Sequence, residues 1–201
     1  GYATVARAYA DELSDELAAK PLDRALLAAF AERARGPIVD IGCGPGHVTA
    51  HLAALGADVA GVDLSPEMIA AATARHPTLP FSVADMFALP YAAGSLAGVI
   101  AFYSIVHVPT DELVVPLREL HRVLAPDGLA MLAFHAGADT VHVDALFGQP
   151  TSLDFTFHPP DVVAVALGTV GFALEARLDR APYPSVEYPS PRTYLLATRR
   201  P

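Results

Sequence analysis

The segment Val39-Asp40-Ile41-Gly42-Cys43-Gly44-Pro45-Gly46 runs from a short apolar strand into three glycines at alternate positions. A strand-to-helix turn without side chains lets a ligand approach the main chain closely. Asp63 closes the next apolar run, residues 59–62, twenty-one residues after the first glycine. An acid at the tip of a neighbouring strand accepts hydrogen bonds from paired ribose hydroxyls, so the two features together predict a nucleoside site on an α/β sheet. The Gly-x-Gly-x-Gly spacing is one residue shorter than the Gly-x-Gly-x-x-Gly of dinucleotide enzymes.

The rest of the chain supports this reading. Strand-like runs at 38–41, 59–62, 81–83, 99–103 and 129–134 alternate with helical patterns, which predicts a mostly parallel sheet covered on both faces. Upstream, Tyr9, Leu13 and Leu17 recur every four residues, as do Leu22, Leu26 and Phe30, so two helices joined at Lys20-Pro21 are expected as a cover. Ser65-Pro66 reads as an N-cap with proline at N1, and Thr110 as the cap of a helix bearing Leu113, Leu117, Leu120 and Leu124, bent early by Pro116. Residues 137–158 read as irregular. Pro159-Pro160 then opens an apolar helix ended by Gly171, followed by an antiparallel strand pair near 172–178 and 192–198, joined by the loop 181–184. In parallel sheets ligands bind at strand carboxyl ends, which gathers Asp40, Asp63, Asp85, Phe102, Tyr103, His107 and His135 into one candidate site.

Composition narrows the partners. The chain has 201 residues, 53% of them apolar and 17% charged, enough for one domain with a full core. A net charge of −9 opposes contact with nucleic acid phosphates. No stretch reaches the roughly 20 apolar residues of a membrane helix. Cys43 is the only cysteine, which removes internal disulfides and cysteine zinc clusters, and the sequence starts without a secretion pattern, so a soluble cytoplasmic protein is expected.

Three further segments follow the glycine turn in order: Gly61-Val62-Asp63-Leu64-Ser65-Pro66-Glu67-Met68, Ala84-Asp85-Met86 with Leu89-Pro90-Tyr91, and Arg122-Val123-Leu124-Ala125-Pro126-Asp127-Gly128. Together the four resemble class I S-adenosylmethionine-dependent methyltransferases, closest to the branch that methylates small molecules. The resemblance implies a doubly wound Rossmann-like α/β fold: a mostly parallel seven-stranded sheet with an antiparallel last strand and helices on both faces. It divides one domain, 1–201, into a helical cover (1–35), a cofactor-binding core (36–136), an acceptor-side insertion (137–158) and a terminal helix with β-hairpin (159–201).

Carried over by position, the resemblance implies that S-adenosylmethionine binds along Gly42, Cys43, Gly44 and Gly46, with the backbone at 42–44 near its methionine part. Asp40 would hold the ammonium, Asp63 the ribose hydroxyls, Leu64 the adenine face, and Asp85 the exocyclic amine. The Met86 amide would meet a ring nitrogen, and Phe102 and Tyr103 would wall the reaction centre. Ala97 departs from the acid that many relatives carry near the start of the fourth strand. The pattern Tyr2 to Tyr9 resembles a lid helix in which Tyr9 closes over the cofactor; on the residues alone, Tyr9 reads equally as a core tyrosine.

His107 and His135 follow the fourth and fifth strands and are the candidate general bases for a hydroxyl acceptor, the alternative being residues that only order the pocket. His47 and His51 share a helix face, and His142 lies two residues from Asp144, but no third metal ligand is placed by spacing and no metal is expected. His121 and the acids Asp11, Glu12, Asp15 and Glu16 read as solvated. Leu146, Phe147, Leu153, Phe155 and Phe157, interleaved with His142 and His158, suggest an apolar or aromatic acceptor, although 153, 155 and 157 also alternate like a core strand. The expected activity is methyl transfer to a small molecule, oxygen favoured over nitrogen or carbon, releasing S-adenosylhomocysteine. The competing readings are a noncatalytic binder of the same cofactor and a nicotinamide oxidoreductase. The second should show longer glycine spacing and a tyrosine-lysine pair, whereas Lys20 is the only lysine. Phe102-Tyr103-Ser104-Ile105 also lacks the acid or asparagine, two prolines and aromatic of nucleic-acid methylating enzymes.

Overall fold

The computed structural model describes residues 5–200 apart from positions 14 and 185, with Arg7 described in its backbone only; Tyr2 therefore lies outside the described residues. Seven strands, β1 (Ile38–Ile41), β2 (Val59–Asp63), β3 (Phe81–Val83), β4 (Leu96–Phe102), β5 (Leu124–His135), β8 (Phe172–Arg180) and β9 (Arg192–Arg199), form one sheet in the order β3-β2-β1-β4-β5-β9-β8. Only β9 is reversed: it pairs antiparallel with both neighbours, while every other pair is parallel. This is the expected doubly wound sheet.

The strands are apolar on both faces because both faces are covered. Val99 and Ala101 of β4 pack toward α5 (Val114–Val123) and α6 (Pro160–Thr169), whereas Ile100 and Phe102 pack toward α2 (Pro21–Arg33) and α3 (His47–Ala54). Successive strand residues point to opposite faces, so continuous apolar runs feed two separate cores. At α4 (Pro66–Arg75), the Ser65 hydroxyl accepts the Met68 amide at 3.3 Å and Pro66 occupies the first turn, as expected. Thr110 is not a cap: it sits on a 3₁₀ turn, Thr110–Glu112, and its hydroxyl bonds His158 Nδ1 at 2.9 Å, while Leu113 takes the N-cap position of α5. Pro116 falls in the first turn of that helix, where its missing N–H has no partner to lose. His121 is half-buried, its ring 5.3 Å from that of Phe172, rather than solvated.

Two further expectations are corrected. The first concerns the cover. α1 (Ala6–Leu13) stops early, Leu17 lies on a 3₁₀ turn, Glu16–Ala19, and α2 buries Asp23, Leu27 and Phe30 while Leu22 stays 42% exposed. Lys20 precedes a proline and is held out of helical geometry at φ −118°, ψ 76°, which separates the two elements. The helix turns Asp23 inward because partners wait there. Arg180 Nη2 donates to Asp23 Oδ2 at 2.9 Å and Tyr194 donates to Oδ1 at 2.8 Å. Arg180 also grips both oxygens of Glu187 at 2.7 and 2.9 Å, and Lys20 reaches Glu187 at 3.2 Å. Lys20 further pairs with Glu16, which also faces His47 Nε2 at 3.2 Å and so is not a solvated acid.

The second correction concerns residues 137–158, which are not irregular. β6 (Thr140–Leu146) and β7 (Gln149–Thr156) form a separate antiparallel hairpin. Its two-residue turn, Phe147-Gly148, has φ +49° and +72°. Positive φ at both central residues is the hairpin turn that matches strand twist, normally announced by Asn-Gly; phenylalanine at the first position hides it.

Replacing Glu187 with Gln strips a buried carboxylate from Arg180 and Lys20 and should cost about 3 kcal/mol of stability. Burial pushes the Glu187 carboxyl up, but Arg180, the Tyr183 amide, Lys20 and Arg192 outweigh it and hold the group at about 2, against 4.5 for a free glutamate. A lowered folded pKa contributes stability that is complete above the unfolded value and fades as pH falls through the folded one. Urea titrations of wild type and E187Q should therefore converge between pH 4.5 and about 2; a gap that stays constant across that window would contradict the ion pairing.

Candidate active site

The turn after β1 depends on close main-chain packing. Gly42 has φ +68°, and a Cβ built there would lie 2.3 Å from Ser104 Cβ on the loop after β4. Its amide and that of Cys43 both bond the Val62 carbonyl, at 2.8 and 3.0 Å, which pins the turn to β2. Asp63 completes the arrangement: Oδ2 accepts the Gly44 amide at 2.9 Å and Oδ1 the Ser65 amide at 2.8 Å. A carboxylate has about four acceptor positions, so each oxygen keeps one for a ligand. Burial raises the Asp63 carboxyl above its usual range, and the two amides work against that shift.

A cavity of about 730 Å³ opens over this turn. Its wall includes Asp40, Gly42, Cys43, Gly44, Asp63, Leu64, Asp85, Met86, Phe102, Tyr103, His107, His135 and Tyr9, so residues spread along the sequence meet at the carboxyl ends of the strands. Gly46 does not line it. That glycine starts α3 facing the other way, where a Cβ would strike the Phe81 ring at 2.7 Å, so its reason is packing. Leu64 is 67% exposed, an apolar platform beside Asp63. Asp85 is exposed and accepts the Phe87 amide at 2.9 Å.

Asp40 is buried and accepts the Thr49 hydroxyl at 2.7 Å; burial raises its carboxyl to about 6 against the opposing pull of Thr49 and His47. Burial, then Asp40 and Asp63, push the Cys43 thiol far up. Ser104 Oγ and His47 Nδ1 are buried on the cavity wall with no hydrogen-bond partner among the described residues. Unpartnered buried atoms of this kind carry a desolvation cost in the fold. The side-chain-free cradle, the two acids and the Leu64 platform suit a ligand with polar groups along its length and one flat face.

The rest of the cavity wall is built from distant segments. Leu146, Phe147, Leu153 and Phe155 of the hairpin line the cavity, and the Phe147 ring meets Tyr9 edge-on at 5.5 Å, so Tyr9 belongs to the wall. Phe157 is buried behind it, stacked on His135 at 4.9 Å. His142 lies on the outer hairpin beside Asp154, and His158 is fully buried between Thr110 and the Ile105 carbonyl, so neither anchors the cavity. His107 Nδ1 donates to the Asp154 carbonyl at 2.9 Å, which leaves the imidazole lone pair on Nε2. Desolvation lowers its pKa below the usual histidine value, opposed by that carbonyl and by Asp63. His135 differs: burial, then Arg192 and Lys20, lower it to about 3, too weak a base to take a proton near pH 7.

Tyr103 sits at φ +58°, its hydroxyl 2.8 Å from that of Tyr194. Lys20, Glu16 and Arg192 also line the cavity, and the sequence reading did not place them there. Lys20 carried a signal, being the only lysine and standing directly before a proline. Arg192 on β9 carried none.

The segment 38–128 matches the family model described as a methyltransferase domain. Over 144 residues the chain is 33% identical to a malonyl-[acyl-carrier protein] O-methyltransferase of Erwinia billingiae, covering 70% of this chain and 56% of that protein. Over 148 residues it is 32% identical to a demethylmenaquinone methyltransferase of Beutenbergia cavernae, covering 72% and 60%. The chain thus spans little more than half the length of these relatives. Among solved structures, an S-adenosylmethionine-dependent methyltransferase from Methanosarcina mazei superposes with TM-score 0.72 at 19% identity, over 82% of this chain and 92% of that one, which supports the fold.

Gly42→Ala should destabilise the protein by about 1–3 kcal/mol through strain, and by more than Gly56→Ala, because both positions have left-handed φ but only Gly42 meets a neighbour. Denaturant melts of the two variants check this; equal costs would mean that the approach to Ser104 is not tight.

Proposed function

We propose that the chain is a class I S-adenosylmethionine-dependent methyltransferase that transfers a methyl group to a small-molecule acceptor, oxygen in preference to nitrogen or carbon, and releases S-adenosylhomocysteine. The observation that carries this reading is one cavity in which the glycine turn and Asp63 share a wall with His107. In it Asp63 uses its remaining acceptor positions for the ribose hydroxyls, Leu64 covers the adenine, Asp85 takes the exocyclic amine, the Met86 amide meets a ring nitrogen, and Asp40 holds the ammonium. Phe102 and Tyr103 wall the reaction centre.

When bound, S-adenosylmethionine supplies a methyl carbon that its cationic sulfonium already makes electrophilic. The chain then has to align the acceptor and exclude water, which the aromatic hairpin and Tyr9 accomplish by covering the cavity. His107 accepts the proton of a hydroxyl acceptor at Nε2, its ring oriented by the Asp154 carbonyl. His135 serves as a neutral hydrogen-bonding group.

Calorimetric titration should show binding of S-adenosylmethionine and S-adenosylhomocysteine and none of NADH; absence of both sulfur nucleosides with the protein folded would overturn the reading. Asp63→Ala should weaken S-adenosylhomocysteine by about 1–3 kcal/mol without unfolding the chain. With an acceptor found by a labelled-methyl screen, His107→Gln should cut turnover and leave S-adenosylhomocysteine affinity unchanged. Since the His107 pKa is lowered, wild-type kcat/KM should rise with pH to a plateau whose midpoint lies below 6.5, and the variant should lose that limb.

A further inference from the structure

The hairpin that covers the cavity also holds His107, and it does so at a residue that carries charge on its outer face. The 3₁₀ turn Ile105–His107 packs against the edge of β7 that β6 leaves open. There the Asp154 carbonyl accepts the His107 Nδ1 proton at 2.9 Å, and the Phe155 ring lies 5.0 Å from the imidazole. A bond of this kind selects the tautomer of a neutral imidazole. With the proton on Nδ1, the basic atom is Nε2.

Strand residues alternate between faces, so Leu153 and Phe155 line the cavity while Asp154 sends its side chain to solvent. On that outer face it meets His142, its partner in the β6–β7 register. His142 Nδ1 lies 2.6 Å from Asp154 Oδ1, and Nε2 lies 3.2 Å from Asp144 Oδ1. Ionised carboxylates only accept, so both contacts are hydrogen bonds only when both ring nitrogens carry protons, that is, when His142 is an imidazolium. A neutral His142 has one proton and turns a lone pair toward one of the two carboxylates. The cluster is therefore a clamp whose geometry requires a charge. The charged groups acting on His142 are Asp154 across the hairpin and Asp144 on its own strand; the Asp154 hydrogen bond first, then both charges, raise its pKa above the ordinary histidine value. Those acting on His107 are Asp63 and Asp154, which offset only part of the desolvation that lowers it.

We propose that His142 is a positioning residue for His107: as an imidazolium it clamps Asp144 and Asp154, and through the Asp154 carbonyl it keeps His107 in the Nδ1-protonated tautomer that accepts a proton at Nε2. The catalytic part of this rests on the methyl-transfer function proposed above. A raised pKa in the folded hairpin means that the clamp is complete at low pH and is lost as pH rises through the His142 titration. One link then breaks, the carbonyl's hold on His107 slackens, and the Nε2-protonated tautomer grows. The cluster is exposed, so the change is a shift of about two- to fivefold in the tautomer ratio and not loss of the hairpin.

Nitrogen-15 NMR of the histidine-labelled protein, with resonances assigned from H107Q and H142Q, reads the His107 tautomer without requiring turnover. In wild type, His107 should show its own protonation below pH 6.5 and a second inflection above 6.5 that coincides with the His142 titration. His142→Gln should hold the shifted tautomer ratio at every pH above 6.5, and His142→Arg, a permanent cation with several donors, should hold the unshifted one. A His142 midpoint below 6.5, no His107 inflection at that midpoint, or the same His107 tautomer in H142Q and H142R would each overturn the proposal. With an acceptor in hand, wild-type kcat/KM should step down from its plateau by the same factor at the His142 midpoint, and H142R should not. Failure of S-adenosylhomocysteine to bind wild type would sink the methyl-transfer reading, whereas binding without the tautomer coupling would sink the positioning role.

Discussion

The Asp63 carboxylate joins two loops that would otherwise be independent. By accepting the Gly44 amide with one oxygen and the Ser65 amide with the other, it fixes the turn after β1 against the start of α4. The main chain around this cross-link is closely packed, and the sequence removes side chains where neighbouring elements approach. Gly42 clears Ser104, and Gly61 clears Phe81 and Cys43, with the nearest atoms under 3 Å from the missing Cβ positions. The cavity floor is therefore main chain held by main chain, with one carboxylate as the cross-link. Everything above it, from the Leu64 platform to the aromatic hairpin, is positioned relative to that fixed floor.

A second organising element lies at the other wall, where the two ends of the chain meet. Asp23 from the cover, Arg180 and Tyr194 from the last strands, and Glu187 from the loop between them form one buried hydrogen-bonded group, joined by Lys20. Buried ion pairs add little net stability relative to apolar packing, but breaking one is costly, so such a group fixes register more than it adds strength. Here the register is that of α2 against the terminal hairpin. Tyr103 is tied into the same group through Tyr194, so the cavity wall at Tyr103 and the cover are set by one network.

Much of the fold was legible because parallel strands buried on both faces leave uninterrupted apolar runs, and five of these were visible between residues 38 and 134. The glycine turn and Asp63 were legible because they need particular residue types at fixed spacing. What failed did so where side chains contradict simple periodicity. Asp23 looks like a surface position, and an apolar-face rule turned α2 toward Leu22 and Leu26; its two partners, Arg180 and Tyr194, both more than 150 residues away, reverse that. The β6–β7 hairpin was hidden because phenylalanine occupies a left-handed turn position that usually carries asparagine or glycine. Arg192 could not be singled out, since an arginine heading a strand reads as a surface residue until the orphaned Nε and the surrounding neutral oxygens are seen.

Cys43 occupies the glycine turn, inside the loop for which we propose a cofactor that alkylates nucleophiles. A thiolate there would be a chemical hazard, because thiolates and not thiols attack electrophilic carbon. Burial, Asp40 and Asp63 all act in one direction and keep the thiol protonated. The two acids of the cavity floor thus silence the only thiol in the chain, and under the methyl-transfer function proposed above an alkylating cofactor would meet no thiolate at this turn.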